Sequence, residues 1–289
     1  MKAEEKQLLH SFFLTASQAI EGFRIHCDMQ PIQFVDDEEF ITEVKATGEF
    51  ATNNLGYSAL SALCKNENLN SSPIANKKTY SSLEEIKSDI AICNQCPLCK
   101  TRHNVVAGEG PKELGGALVT PPILVIGEAP GFDEDEKGRP FVGASGKLLD
   151  KMLAAIGLSR SNNCFITNMV KCRPPENRNP TPSEISFCSH FLQEQIRLIA
   201  PKMILLLGTV ALKAMFHTSE GIMHLHGKLM YYKMNIESIE GTKEISIPTI
   251  PTYHPSALLR NESLKRPAWE DLKFFKVKMK DFVIAKDLS

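Results

Sequence analysis

Apolar residues recur along this 289-residue chain in two rhythms, and the rhythm changes where the elements change. Near the start, Leu8, Leu9, Phe12, Phe13, Ala16, Ala19, Ile20 and Phe23 stand at the spacing of one helix face, which predicts an amphipathic helix over 4–23. From about Arg24 to Thr79 the period fades, and the Asn-, Ser- and Lys-rich stretch from Asn66 to Lys78 reads as a flexible tether. Periodicity resumes at Ser81, where Ser82 and Glu85 form a capping-box pattern ahead of a short helix. Short apolar runs then alternate with helical patterns. Ile123–Ile126, Cys164–Thr167, Met203–Leu207 and Ile245–Tyr253 read as strands, and the almost pure Ile/Leu run from Met203 implies burial on both faces. Gly146–Ile156, a helix opened by Thr181-Pro182-Ser183-Glu184 and running to Ala200, Thr209–Phe216 and Pro267–Ile284 read as helices. This alternation predicts an α/β fold, a three-layer α/β/α sandwich with a mostly parallel central sheet. The organisation is a leader over 1–80 and a main domain over 81–289.

Charge sharpens that division. The net charge is only −1, but residues 1–90 carry 8 Lys/Arg against 14 Asp/Glu, and the remainder 25 against 20. A basic domain behind an acidic leader permits phosphate binding without demanding it. No apolar run reaches membrane-spanning length, and Met-Lys-Ala-Glu-Glu is no signal peptide, so a soluble, cytoplasmic protein is expected.

In a reducing compartment eight cysteines point to metal where they cluster. Cys93 and Cys96 form a C-x-x-C pair with Cys99 three residues on; Cys172 and Cys188 lie far downstream, separated by a proline-stiffened loop. A close pair plus two distant thiolates can enclose zinc or a [4Fe–4S] cluster, and spacing does not choose between them. Cys27, Cys64 and Cys164 read as ordinary thiols.

The richest chemistry follows the strand at Ile123. Gly127-Glu128-Ala129-Pro130-Gly131 and Gly138-Arg139-Pro140-Phe141-Val142-Gly143 place a glycine- and proline-rich loop at the carboxyl edge of a sheet, where open α/β sheets bind ligands. Glu128, Glu134 and Asp135 add carboxylates to that loop and Phe141 one ring, a set suited to a planar polar ligand such as a nucleobase. A Walker-type phosphate loop is absent from the sequence, which argues against a nucleotide hydrolase.

With these pieces placed, residues 88–284 resemble the family 4 uracil-DNA glycosylases, the iron–sulfur branch found in bacteria and archaea. The resemblance rests on Cys93-x-x-Cys96, the two loop motifs above, Ile166-Thr-Asn-Met-Val-Lys-Cys-Arg-Pro-Pro175 and His254-Pro-Ser-Ala-Leu-Leu-Arg260. It implies a bacterial, monomeric, monofunctional enzyme that flips uracil out of DNA, hydrolyses the N-glycosidic bond and leaves an abasic site for base excision repair. The implied cofactor is a [4Fe–4S] cluster on Cys93, Cys96, Cys172 and Cys188, with Cys99 spare and zinc as the alternative metal. Phe141 would stack on the extruded base, and Asn168 would read its O4 and N3–H. His254 and the Glu128–Ala129 backbone would stabilise negative charge on O2, and Glu128 and Glu134 would hold the attacking water. Leu259 would fill the vacated stack while Arg260 meets phosphate; the cluster would shape a DNA-facing surface containing Lys171, Arg173 and Arg178.

Three departures qualify the match. A family arginine before a glycine is His226–Gly227 here, the segment from Tyr232 to Ile247 is longer than usual, and the leader falls outside the matched region. Within the leader, Gln7-Leu8-Leu9-His10-Ser11-Phe12-Phe13 is partly similar to peptides that dock on the bacterial sliding clamp; packing of this helix on the main domain is the reading preferred. The rival function is a non-catalytic iron–sulfur DNA-binding accessory to a polymerase, against which the intact Asn168 and His254 motifs argue.

Overall fold

The Ser82 hydroxyl accepts the Glu85 N–H at 3.2 Å and opens helix α1, Leu83–Ile92, with Ile86 and Ile90 turned inward. This computed structural model describes residues 78–111, 122–238 and 241–284, all within one unit, Pro73–Ser289. The 4–23 helix, the tether up to residue 77, the clamp-like peptide, Cys27 and Cys64 lie outside the described residues.

In chain order the remaining elements are β1 (Ile123–Gly127), α2 (Phe132–Lys137), α3 (Ala144–Ala155), β2 (Cys164–Asn168) and α4 (Pro182–Ile199). Then come β3 (Met203–Leu207), α5 (Thr209–Phe216), α6 (Ile222–Leu225), β4 (Met230–Ser238), β5 (Gly241–Thr252), α7 (Pro255–Arg260) and α8 (Lys265–Met279). The sheet order is β2-β1-β3-β5-β4; β4 alone is antiparallel. Every residue of β1, β2 and β3 is buried, as the apolar runs of β1 and β3 require with helices on both faces; β2 buries Thr167 and Asn168 as well. The three-layer α/β/α expectation is borne out. Thr181 caps α4 as expected, its hydroxyl accepting the Glu184 N–H while the Glu184 carboxylate accepts the Thr181 N–H.

Two elements differ from the sequence reading. Residues 132–137, taken as an acidic loop, form α2, so Glu134 and Asp135 stand on a helix. The long stretch from Tyr232 is an extra edge strand, β4, whose Tyr232 and Met234 pair with Ile247 and Ile245 of β5. Its outward residues Tyr231, Lys233 and Asn235 are exposed and its inward ones only half-buried, so alternation with weak apolar content hid it. Among the described residues no helix is long and apolar enough to cross a membrane.

Chain direction sets the position of the site. From β1 the chain moves outward to β2, then returns past β1 to β3, so the topology reverses between β1 and β3. The carboxyl ends of four parallel strands (Gly127, Asn168, Leu207, Thr252) therefore meet one crevice, where this class of sheet binds ligands.

Candidate active site

Phe141 is held in an unfavourable backbone shape by its neighbours. Its φ is +53°, left-handed territory that a bulky L-residue seldom adopts. Gly146, one turn into α3, makes room: a Cβ there would collide with the Phe141 carbonyl. Arg160 donates to the Pro140 and Phe141 carbonyls at 2.7 and 2.9 Å, and itself pairs with Glu109 and Asp150. From the other side, Glu134 accepts the Gly131 N–H at 3.1 Å, Val142 N–H at 2.8 Å and Gly143 N–H at 2.9 Å. Its carboxylate thus ties the two ends of the loop together.

Gly127 ends β1 opposite Asn168 at the end of β2. A Cβ on Gly127 would collide with both the Asn168 Oδ1 and the Phe141 ring, so this glycine lets an amide and an aromatic ring close on one spot. Asn168 is 1% exposed, and its Oδ1 is the one buried side-chain N or O among the described residues that lacks a hydrogen-bond partner. Leaving a buried carbonyl unpaired costs about 1–3 kcal/mol, so an orphan acceptor here has the form of a ligand contact awaiting its donor.

His254 reaches the same spot from β5, its ring centroid 5.6 Å from that of Phe141. Gly208, at φ +87°, admits it closely: a Cβ there would lie 2.9 Å from the His254 Cβ. His254 Nδ1 accepts the Ser256 N–H at 3.2 Å, so a neutral ring carries its proton on Nε2. Burial, aided by the Arg260 charge, pulls its pKa down to about 4 and keeps the imidazole neutral. Glu128 is half-buried after β1; burial raises its pKa and Arg260 partly opposes that rise. Arg260 therefore acts electrostatically on both groups. In the same helix α7, Leu258 is buried and Leu259 is 48% exposed. Ala129 sits half-buried in the loop beside Glu128.

Beside Phe141 a solvent-open groove of about 600 Å³ is rimmed by Lys137, Arg139, Lys147 and Arg160, with Asp150 as its one carboxylate. The sequence reading passed over Lys137 and Lys147; their placement either side of the Gly138–Gly143 turn was the available signal.

Cys93, Cys96, Cys99, Cys172 and Cys188 line a second hollow of about 300 Å³, counted out to open solvent. One of these sulfurs already faces a donor: the Arg102 guanidinium reaches Cys172 Sγ at 3.1 Å. Among the described residues no three His, Cys, Asp or Glu side chains converge tightly enough to hold a single metal ion. Cys164 is apart, buried in β2, its thiol pushed up to about 12 by burial.

Two basic residues expected at a DNA-facing surface are otherwise engaged. Lys171 is 1% exposed and donates to Thr167 Oγ1, the Asn168 carbonyl and Gln195 Oε1 at 2.7–2.8 Å; burial pulls its pKa down to about 8. It braces the strand end that carries Asn168 and cannot face DNA. Arg178 forms a two-pronged pair with Glu184 at 2.9 and 2.7 Å. Arg173 lies 5.0 Å over the exposed Phe132 ring and donates to Asn177 Oδ1. His226 donates from Nδ1 to the buried Asp271 carboxylate at 2.9 Å, which ties the turn before β4 to α8.

Residues 115–273 match the model of the uracil DNA glycosylase superfamily. The chain is 44% identical over 198 residues to a type-4 uracil-DNA glycosylase of Sulfurisphaera tokodaii, covering 66% of this chain and 82% of that protein. It is 40% identical over 197 residues to a type-4 uracil-DNA glycosylase of Pyrobaculum aerophilum, covering 67% and 92%. A type-4 uracil-DNA glycosylase of Thermotoga maritima is 40% identical over 211 residues, covering 71% and 97%.

Proposed function

The chain belongs to the uracil-DNA glycosylase superfamily and within it to the type-4 enzymes, and from that membership we propose how its own residues excise uracil from DNA. The observation that carries the site assignment is the orphaned Asn168 Oδ1 beside Phe141 and His254. Uracil offers N3–H to that oxygen and O4 to the amide's N–H; cytosine presents the reverse pattern and would leave buried polar groups unpaired. Extruding the nucleotide takes about a few kcal/mol, and stacking on Phe141 and insertion of Leu259 into the gap offset part of it.

Breaking the C1′–N1 bond leaves the electron pair on uracil, largely at O2, and positive charge on the sugar. A neutral His254 with Nε2–H can donate to that oxygen without first losing a proton to it. Preorganised donors of this kind are worth about 2.7–4 kcal/mol each in the transition state. The Glu128 carboxylate holds the water that adds to C1′, and the proton released by the water neutralises the departing uracil anion. Glu134, with three backbone N–H groups on its oxygens, positions the loop and does not touch the water. Arg260, Arg173 and the Lys137–Lys147 groove take the backbone phosphates.

The five-cysteine hollow fits a [4Fe–4S] cluster held by Cys93, Cys96, Cys172 and Cys188. Sulfurs that line one space suit a group offering each a separate iron, and the Arg102 guanidinium on Cys172 Sγ suits a thiolate. Bound there, the cluster ties α1, the loop before α4 and α4 itself together and supplies no step of the hydrolysis. The test is uracil release from a labelled oligonucleotide in metal-free buffer, with iron and sulfide assayed on anaerobically purified protein. Undetectable release at stoichiometric, cluster-bearing enzyme would remove the reading and leave the polymerase-accessory alternative.

A further inference from the structure

Five cysteines face a hollow in which a [4Fe–4S] cluster takes four. The fifth is not placed at random. Cys96 caps the short 3₁₀ turn Pro97–Lys100, and the Cys99 N–H closes that turn on the Cys96 carbonyl at 3.2 Å. Cys96 stands in extended backbone at the N-cap, φ −139° and ψ 162°, and its side chain and that of Cys99 both line the hollow. The turn is rigid. Pro97 fixes its first φ, and Leu98, 1% exposed, packs in a cluster with Val170 and Cys172.

The far wall is equally fixed. Arg102 donates one nitrogen to Cys172 Sγ at 3.1 Å and another to the Ala91 carbonyl at 3.1 Å, so it spans from the end of α1 to the loop before α4. Exchanging one sulfur of the turn for the other thus needs a side-chain rotation and no unwinding.

We infer that Cys99 is a reserve ligand, which completes the cluster's thiolate set when Cys96 is lost; the inference rests on the cluster reading above. The experiment purifies four forms anaerobically: the unsubstituted chain, Cys96→Ala, Cys99→Ala and the double variant. Iron, sulfide and visible absorbance are measured, and native cysteines are alkylated with iodoacetamide and mapped by mass spectrometry. Each single variant should keep its iron within about twofold, whereas the double variant should lose about tenfold or more. In the unsubstituted protein Cys99 should alkylate and Cys96 should not; in Cys96→Ala, Cys99 should become protected.

Loss of iron from Cys96→Ala as deep as from the double variant overturns the inference. So does a Cys99 that still alkylates in an iron-bearing Cys96→Ala, or an insoluble Cys96→Ala beside a soluble Cys99→Ala. Both of those leave the cluster reading standing. An unsubstituted protein without iron or sulfide would instead remove the cluster reading itself.

Discussion

Replacing Asn168 by leucine should separate stability from catalysis in opposite directions. The side chain is 1% exposed and its Oδ1 has no partner in the free protein. An unmade buried hydrogen bond costs about 1–3 kcal/mol, and an apolar side chain of similar volume removes that cost. Part of the gain is lost because the branched leucine tip must fit against the Phe141 ring over the bare Gly127 backbone. A net gain of about 1 kcal/mol is expected, which raises Tm by about 2–4 °C for a folded unit of this size. Uracil release should fall about 100- to 1000-fold, because a donor–acceptor pair aimed at the base is gone. Two assays decide: thermal melting of anaerobic protein, and single-turnover release from an oligonucleotide carrying one uracil. Affinity for abasic product DNA, which lacks the base, should stay within about threefold if phosphate contacts dominate it. A variant that melts clearly lower yet releases uracil at a near-native rate would show that Asn168 is an internal brace and that its orphan oxygen carries no ligand contact.

Four further outcomes follow from named contacts. His254 has a folded pKa of about 4 against an ordinary 6.5, so its share of stability is complete above about pH 6.5 and is lost as pH falls toward 4; imidazole NMR should find it neutral at pH 6. Arg260→Ala removes a positive charge that lowers both His254 and Glu128, so both should titrate at higher pH and the acid limb of kcat/KM should move upward; an unmoved limb counts against Glu128 as the water's holder. Glu134→Gln should lower stability by about 1–3 kcal/mol, since one amide cannot accept three backbone N–H groups, and loss of rate at full stability would return Glu134 to the water. Lys137→Ala combined with Lys147→Ala should weaken DNA binding and flatten its salt slope by about two, with single-turnover kcat kept at saturation; an unchanged slope removes the groove from the DNA path.

β1 and β3 were legible because burial on both faces leaves near-unbroken aliphatic runs, whereas β2, Cys-Phe-Ile-Thr-Asn, is equally buried but carries its apolar residues only at its start. Asn168, Glu128 and His254 stood out as motif residues at strand ends, and Phe141 as the one ring in the glycine- and proline-rich turn before α3. What those runs could not convey is which charges face inward. Lys171 follows the β2 strand by three residues and reads as a basic surface group, yet its ammonium folds back onto Thr167, the Asn168 carbonyl and Gln195. That arrangement depends on Gln195, 24 residues later in α4, which local spacing cannot supply. The three backbone partners of Glu134 were hidden for the same reason. A carboxylate in an acidic stretch invites a chemical role, but its three partners include Val142 and Gly143, which approach only because the chain turns back at Gly138.

Two locally unfavourable features converge at the crevice: a phenylalanine at φ +53° and a buried oxygen without a partner. Each costs about 1–3 kcal/mol, and neither would persist unless its surroundings left no alternative. For Phe141 the constraint is visible from three directions, with Arg160 on its own carbonyl and that of Pro140, Glu134 on the N–H groups after it, and Gly146 vacating the space its carbonyl occupies. For Asn168 the brace is Lys171 on its own carbonyl and Gly127 across the strand pair. The charged bracing groups are already engaged with backbone: Arg160 and Lys171 on carbonyls, Glu134 on N–H groups. They hold a ring and an amide at fixed spacing, and in the mechanism we propose binding the base relieves the Asn168 deficit instead of first having to create the site. Gly146→Ala tests that division of labour: by displacing the Phe141 carbonyl it should impair uracil release while Asn168, His254 and Glu128 keep their identities.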